Sequence, residues 1–159
     1  MEKIQQITLD TMLESYKPEF RYLVKAKFQY PYAEGIFKIP KTAYGIEGKD
    51  TGHFTLIELG FCYNQLAYTF FAEAFEKGLI KEVEKSSLKK TKEYQLHSSF
   101  IIGLDNVKFW KQINPKKFQG QIKLEKIIQK RKDLIFFKTS YDFENGKATG
   151  EINLAFLKK

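Results

Sequence analysis

The longest apolar stretch of the chain lies between residues 54 and 77, and its periodicity predicts one central helix. Thr55 followed three residues later by Glu58 is a capping-box pattern for the start of this helix, and Gly78 is suited to ending it. Most of the helix surface is apolar, so the helix must be covered on most sides. One narrow stripe is polar and consists of Thr55, Glu58, Gln65, Thr69, Glu73 and Glu76. We expect this polar stripe to face solvent or a partner subunit.

The rest of the chain has shorter patterns of apolar and polar residues. Residues 1–17 predict an N-terminal helix, with apolar positions spaced along 2–16 and Pro18 at its end. Apolar and β-forming residues predict strands over 20–30, 33–41, 94–104, 118–130, 134–143 and 147–157. Asn145-Gly146 between the last two strands is a strong hairpin signal.

The order of these elements predicts an α+β fold in a single domain over residues 1–159. A mostly antiparallel, strongly curved sheet can cover a long apolar helix on several sides. Such a sheet leaves strand edges that pair readily with another copy of the chain. We therefore expect a homodimer or a higher homo-oligomer.

The charge of the chain is strongly positive, but its composition argues against a nucleic-acid partner. The net charge is +8, and arginine, which reads phosphates and bases in a bidentate way, occurs only at Arg21 and Arg131. The lysines are spread along the chain. They form either a solvated surface or a basic rim that attracts an acidic carrier protein or the phosphates of coenzyme A.

Several classes of protein are disfavoured by the composition. No apolar run is long and charge-free enough for a membrane span, and the N-terminus has no signal-peptide core. One cysteine and two distant histidines give no metal cluster, and no cofactor is expected. We expect a cytoplasmic protein.

Asn64 is the unusual residue of the central helix. On a helical wheel it lies away from the polar stripe, among Ile57, Phe61, Tyr68 and Phe71. A buried amide without a partner costs about 1–3 kcal/mol, so some group must hydrogen-bond it. That group is either part of the sheet or a substrate in a cleft, and periodicity alone does not distinguish the two.

Four other polar residues have two interpretations each. Glu58 is either the capping residue or a general base, and Cys62 is either a small buried residue or a nucleophile. His53 either shapes the turn before the helix or lies at the mouth of a site built on the free backbone NH groups of the helix start. His97, on a predicted strand, is expected to be a packed or exposed strand residue.

Long segments of the chain resemble the FcoT-type hot-dog family, also called type III acyl-CoA thioesterases. The matching segments are FRYLVKAKFQY, TAYGIEGKDTGHFTLIELGFCYNQLAY, HSSFIIG, INPKKF and GKATGEINLA, in family order, from about residue 16 to 157. The block GHFxxxELxxCxNQLAY is long and specific. The resemblance implies a hot-dog fold, a curved antiparallel sheet wrapped around a central helix and paired as a dimer.

The resemblance also implies the positions of the site. Its polar active-site residues correspond to Asn64 and Tyr44, and His53 is shared. Substrate contacts are expected from Tyr16, Arg21, Phe54, Thr55, Phe61, Tyr68 and Phe71. At the position of Thr55 a member of the family carries asparagine, also a good N-cap, so a capping role is favoured there. The acyl tail is expected beside the aromatic side chains of the central helix, with the thioester carbonyl near its N-terminus.

Three functions fit these motifs. The first is hydrolysis of long-chain fatty acyl-CoA or acyl-carrier-protein thioesters. The second is conjugate addition of glycine to an α,β-unsaturated acyl thioester on a carrier protein, for which Arg21 is the candidate to hold the glycine carboxylate. The third is acyl binding without turnover. No carboxylate falls on the Asn64 face of the helix, which leaves the glycine addition possible. A dehydratase is disfavoured because no His–Glu or His–Asp pair is evident.

Overall fold

A computed structural model of the chain describes residues 1–42 and 52–158. The described elements form one antiparallel sheet with helices packed on it, which confirms the predicted α+β class. The helices are α1 (Gln6–Leu13), α2 (Leu56–Glu76) and α3 (Leu88–His97), with a short 3-10 turn at Pro18–Phe20. The strands are β1 (Glu2–Lys3), β2 (Leu23–Gln29), β3 (Tyr32–Phe37), β4 (Ser99–Phe109), β5 (Phe118–Arg131), β6 (Leu134–Phe143) and β7 (Ala148–Leu157).

The sheet has seven strands in the order β1-β2-β3-β5-β6-β7-β4. Consecutive strands form the hairpins β2–β3, β5–β6 and β6–β7, while β4 pairs with β7 at one edge. The predicted hairpin between the last two strands is present: Glu144, Asn145 and Gly146 all have positive φ. Asn and Gly tolerate this left-handed backbone better than most residues, which is why the sequence signal was strong.

Helix α2 begins and ends where the capping signals predict. The Thr55 hydroxyl accepts from the backbone NH of Ile57, and the Glu58 carboxylate accepts from the backbone NH of Thr55 at 2.8 Å. The first residues of the helix therefore have partners for backbone donors that would otherwise be unsatisfied. Gly78, just past the end of the helix, has φ +66.

The core lies between α2 and the concave side of the sheet. Aromatic rings just before α2 and within it contact the strands: Phe54 packs on Phe118 at 5.0 Å, and Phe71 packs on Phe137 at 4.8 Å. Further along the helix, Phe75 contacts Phe156 of β7 at 5.7 Å. The helix is thus covered from β5 to β7, as its nearly all-round apolar surface requires.

Two elements differ from the sequence prediction. At the N-terminus, residues 2–3 pair with β2, and the backbone NH of Ile4 bonds Ala26, so the helix begins only at Gln6. The predicted strand 94–104 is wrong over its first half, because α3 extends to His97. Ser87 caps α3 by accepting from the backbone NH of Lys90. The β-like composition of 94–104 hid this helix because the buried residues of α3 are Thr91, Lys92 and Gln95, which are polar.

The expectation that the polar stripe of α2 faces solvent or a partner is wrong from Glu58 to Glu73, whereas Glu76 at the end of the stripe is exposed as expected. The Glu58, Gln65 and Thr69 side chains are fully buried, and Glu73 is 8% exposed. Helix α1 and strand β2 cover this face, and each polar group has a partner there or in its own helix. Among the described helices, none is long and apolar enough to cross a bilayer.

Candidate active site

A small cavity lies between the C-terminal half of α2 and the end of the sheet where β4 begins. Its α2 wall consists of Asn64, Ala67, Tyr68, Phe71 and Phe75, and its opposite wall consists of Ser99, Phe137 and residues 154–156. The cavity measures about 10 Å³, enough for about one water molecule. It is the place where the predicted site residues of the helix meet the sheet.

Asn64 lines this cavity and is half-buried. Its side-chain amide has no hydrogen-bond partner among the residues that the structure describes. The sequence left open whether the sheet or a substrate bonds this amide, and the described part of the sheet does not bond it. An amide with free donors and an acceptor at a cavity wall can hold a polar ligand group.

The side-chain amide of the neighbouring residue, Gln65, has a structural role. Its Oε1 accepts from the backbone NH groups of Tyr22 and Leu23, both at 2.9 Å, and its Nε2 donates to the Phe20 carbonyl at 2.7 Å. Gln65 thereby holds the start of β2 against α2. Sequence analysis missed this role because it placed Gln65 on a solvent-facing stripe.

Two tyrosines bring further hydroxyl groups to the Asn64 side of the helix. Tyr68 lines the cavity one turn after Asn64, and burial raises its pKa above 10.0. Tyr16 lies between α1 and β2, half-buried, with its ring edge-on to Phe61 at 6.2 Å. Burial, and secondarily the nearby Tyr68, raise the pKa of Tyr16, and the Gln95 amide hydrogen-bonds it. Both hydroxyls therefore stay protonated at neutral pH and can donate hydrogen bonds.

The cavity wall is chemically neutral. Over the ranges that the structure describes, its lining contains amide, hydroxyl, aromatic and aliphatic groups but no Asp, Glu or His. Glu58, which the sequence offered as a possible base, is bound to the backbone NH and hydroxyl of Thr55. The capping interpretation of Glu58 is therefore confirmed.

Three predicted residues lie at the N-terminus of α2, away from the cavity. His53 is exposed, and its Nδ1 lies 3.0 Å from Gln112 Nε2. Phe54 is buried in a ring cluster with Phe118 and Phe143, and Thr55 is the N-cap. His53 precedes Asn64 by eleven positions, which is about 16 Å along a helix axis at about 1.5 Å per residue. Within one chain the structure does not bring His53 and Asn64 together.

The remaining predicted site residues are Phe71, Phe61, Arg21 and Tyr44. Phe71 lines the cavity, whereas Phe61 packs between Tyr16, Phe20 and Tyr22. Arg21 is exposed and donates from Nε to the Tyr16 carbonyl at 2.9 Å. Tyr44 lies outside the described residues.

The two other reactive side chains have no contact with the cavity. Cys62 is fully buried, and burial raises the pKa of its thiol well above 9.0, so the prediction of a small buried cysteine is confirmed. His97 is exposed at the C-terminus of α3 rather than on a strand.

Helix α3 contributes two residues that sequence analysis missed. Lys92 Nζ donates to the Thr11 carbonyl at 2.7 Å, and Gln95 Nε2 donates to the Met12 carbonyl at 3.1 Å. Both residues are buried. The signal that could have revealed them is Ser87 followed by Thr91, Lys92 and Gln95 at helical spacing.

Solved structures with a similar fold are dehydratase domains. The dehydratase domain of RzxB from Pseudomonas fluorescens matches 99% of this chain with a TM-score of 0.53 at 14% identity. The dehydratase domain of the CurJ module of curacin polyketide synthase matches 99% with a TM-score of 0.55 at 11% identity. The chain spans about half the length of each, 50% in both cases. At this identity the likeness shows the fold alone, which is the predicted hot-dog fold.

Proteins with similar sequences are more informative about the family of this chain than the structures with a similar fold. A (2E)-enoyl-[ACP] glycyltransferase of Mycobacterium marinum is 32% identical over 164 residues, covering 97% of this chain and 87% of the relative. A protein of the same name from Streptomyces coeruleorubidus is 28% identical over 160 residues, covering 94% of both. The model of the FcoT-like thioesterase domain matches residues 11–156. A match of this extent shows that the chain belongs to the FcoT-like thioesterase domain family.

Proposed function

We propose that this chain adds glycine across the double bond of an α,β-unsaturated acyl thioester carried by an acyl carrier protein. The sequence alone placed hydrolysis of the thioester first and this addition second. The relatives from Mycobacterium marinum and Streptomyces coeruleorubidus, both named as enoyl-[ACP] glycyltransferases, support the addition instead.

The observation that carries the proposal is the neutral wall of the Asn64 cavity. Hydrolysis of a thioester requires a base that activates water, and the described cavity lining contains no carboxylate or histidine. A neutral amine is itself a good nucleophile and requires chiefly orientation. Amide and hydroxyl groups at the wall provide orientation without providing a base.

The reaction is a redox-neutral addition without a leaving group, so the product contains all atoms of both reactants. The glycine nitrogen forms a bond to the β-carbon, and the π electrons of the double bond move to the α-carbon and the thioester oxygen. A proton lost by the nitrogen finally reaches the α-carbon. Hydrogen bonds from the Asn64 amide and the Tyr68 hydroxyl to the thioester oxygen would stabilise the negative charge that develops there.

The acyl chain enters beside α2 in this proposal. The cavity has room for about one water molecule, so binding requires the rings of Phe71 and Phe75 to rotate away from the sheet. The two rings pack on each other at 5.6 Å, and they are apolar surfaces of the kind that an alkyl chain contacts.

The carrier is an acidic protein rather than free coenzyme A in this proposal. The net charge of +8 attracts a negatively charged partner to the lysine-rich surface. The names of the two relatives refer to a carrier-bound substrate.

The functional unit is a homodimer formed through β4. This edge strand exposes Phe100, Ile102 and Leu104, each more than 45% accessible, and Trp110 beyond its end is 63% exposed. An exposed, apolar edge strand pairs with a second copy unless something covers it.

The test is a mass measurement on the carrier protein. A trans-2-enoyl chain loaded on an acyl carrier protein is incubated with the chain and glycine. A mass increase equal to one glycine on the intact thioester is expected. Release of free carrier thiol without that adduct would contradict the proposal and indicate hydrolysis, and binding of the acyl carrier without either product would indicate a non-catalytic acyl-binding protein.

A further inference from the structure

Three side chains converge at the C-terminal end of α1, next to the tyrosines of the candidate site. Lys92 bonds the Thr11 carbonyl, Gln95 bonds the Met12 carbonyl, and Arg21 bonds the Tyr16 carbonyl. They come from α3 and from the segment before β2, so only the fold brings them together.

Gln95 has an unused acceptor in this cluster. Its Oε1 is buried without a hydrogen-bond partner, and the residue is 8% exposed. Leaving such an atom unpaired is costly. Its Nε2 donates to the Met12 carbonyl, so Oε1 is left to accept from a ligand N–H or O–H.

The same cluster carries an excess of positive charge. Lys92 is buried to 9% exposure, and Glu14, its nearest carboxylate, lies 3.7 Å away and is itself 61% exposed. Lys92 and Arg21 donate to the carbonyls of Thr11 and Tyr16, which lie five positions apart in the chain. Burial lowers the pKa of Lys92, Glu14 opposes this, and repulsion from the charge of Arg21 lowers it further. A carboxylate placed between them would relieve that repulsion.

The cluster borders the acyl cavity through its aromatic neighbours. Tyr16 is hydrogen-bonded to Gln95 and lies close to Tyr68, which lines the cavity. Tyr94, adjacent to Gln95, contacts the cavity residues Phe75 and Phe156 at 6.2 and 5.0 Å. Gln95 is therefore connected to the cavity lining through Tyr16 and Tyr68.

We propose that Gln95, Lys92 and Arg21 form the binding site for the amino acid nucleophile. The carboxylate of a small amino acid binds Lys92 and Arg21, and its amine donates to Gln95 Oε1, which points the nitrogen towards the cavity. This assignment rests on the proposed glycine addition. Arg21 was a candidate from sequence, whereas Lys92 and Gln95 are identified by the structure.

The experiment measures glycine dependence in Gln95→Met and Lys92→Met variants. We expect the KM for glycine to rise about tenfold in each, with the KM for the enoyl carrier unchanged. Lys89→Met, an exposed lysine of the same helix, is the matched control and should leave both values unchanged. Thermal melting of each variant checks that it is folded.

A second measurement uses the unaltered protein and needs no turnover. Saturation-transfer NMR compares binding of glycine with that of glycinamide, which lacks the carboxylate. Preferential binding of glycine supports the subsite even if a variant fails to fold, and equal binding of the two overturns it.

The outcomes separate the subsite from the proposed function. Glycine adduct formation with an unchanged glycine KM in both folded variants overturns the subsite and leaves the function standing. Selective glycine binding without any adduct upholds the subsite and contradicts the function.

Discussion

At the scale of single residues, two adjacent amides of α2 have opposite roles. Asn64 faces a cavity without a described partner, while Gln65 makes three hydrogen bonds that join β2 to α2. Neighbouring helix positions differ by about 100° in direction, so a one-residue step separates a cavity-facing position from a structural one.

Replacing Asn64 with alanine should remove function and spare the fold. We expect glycine-adduct formation to fall on the order of a hundredfold, as for loss of one donor to a developing oxyanion. Unfolding in urea should change by less than about 1 kcal/mol, because no described hydrogen bond is lost. Unchanged adduct formation by the folded variant would remove Asn64 from the mechanism.

Replacing Gln65 with alanine should instead destabilise the fold. Two backbone donors and one carbonyl would lose their partner in a buried place, and we expect a loss of about 3 kcal/mol in the free energy of unfolding. Urea denaturation measures it, with Asn64→Ala as the matched neighbour. A loss no larger than in that neighbour would show that Gln65 is not structurally important.

The tyrosine hydroxyls predict the shape of the pH profile. The rate of glycine addition should rise with pH as the glycine amine loses its proton. It should not fall before about pH 10, since burial raises the pKa of Tyr16 and Tyr68 above 10.0 and both remain hydrogen-bond donors. Adduct formation measured against pH, with circular dichroism as the folding control, tests this; a falling limb near neutral pH would contradict it.

At the scale of elements, the N-terminus of α2 is a local structure that needs little help from the rest of the fold. Thr55 and Glu58 satisfy one another and the first backbone donors within three residues. Sequence analysis identified this motif because all its partners lie within one helical turn.

Removing the N-cap tests the assignment of Thr55. Thr55→Ala should lower the free energy of unfolding by about 1 kcal/mol, the usual cost of a lost N-cap. The KM for the enoyl carrier should not change, because Thr55 lies at the far end of α2 from the cavity. A change in that KM at unchanged stability would instead indicate the substrate contact that the family resemblance implied.

Helix α3 was mistaken for a strand at its C-terminal half for a physical reason. Its buried positions are Thr91, Lys92 and Gln95, all polar. Lys92 and Gln95 donate to carbonyls of α1, and the Thr91 hydroxyl hydrogen-bonds Ser86 and Ser87. Hydrophobic periodicity cannot reveal a helix whose inner face is polar.

At the scale of the whole molecule, β4 is the feature that a single copy leaves incomplete. It forms one edge of the sheet, and its side chains are mostly exposed and apolar. A second copy paired along this edge would bury that surface.

Ile102→Lys should disrupt the proposed dimer. A charge in the middle of the paired edge is unfavourable, and we expect light scattering after gel filtration to shift from a dimer mass to a monomer mass. Ile7→Lys on α1, a position 61% exposed, is the control and should remain a dimer. A monomeric unaltered protein, or a dimer unaffected by Ile102→Lys, would contradict pairing through β4.

The sequence by itself determined the elements whose signals are local. The cap and length of α2, the Asn145-Gly146 hairpin and four of the six predicted strands with nearly correct bounds all depend on residues a few positions apart. The family motifs in addition indicated Asn64 as a site residue, and the structure places it at the cavity.

Only the tertiary structure decided which polar groups are buried and which ones meet. Burial of the α2 polar stripe, the separation of His53 from Asn64 and the convergence of Tyr16, Gln95 and Lys92 depend on α1, α3 and β2, which are distant in sequence. A polar side chain is buried where remote backbone groups satisfy it, and periodicity along one helix contains no information about those partners.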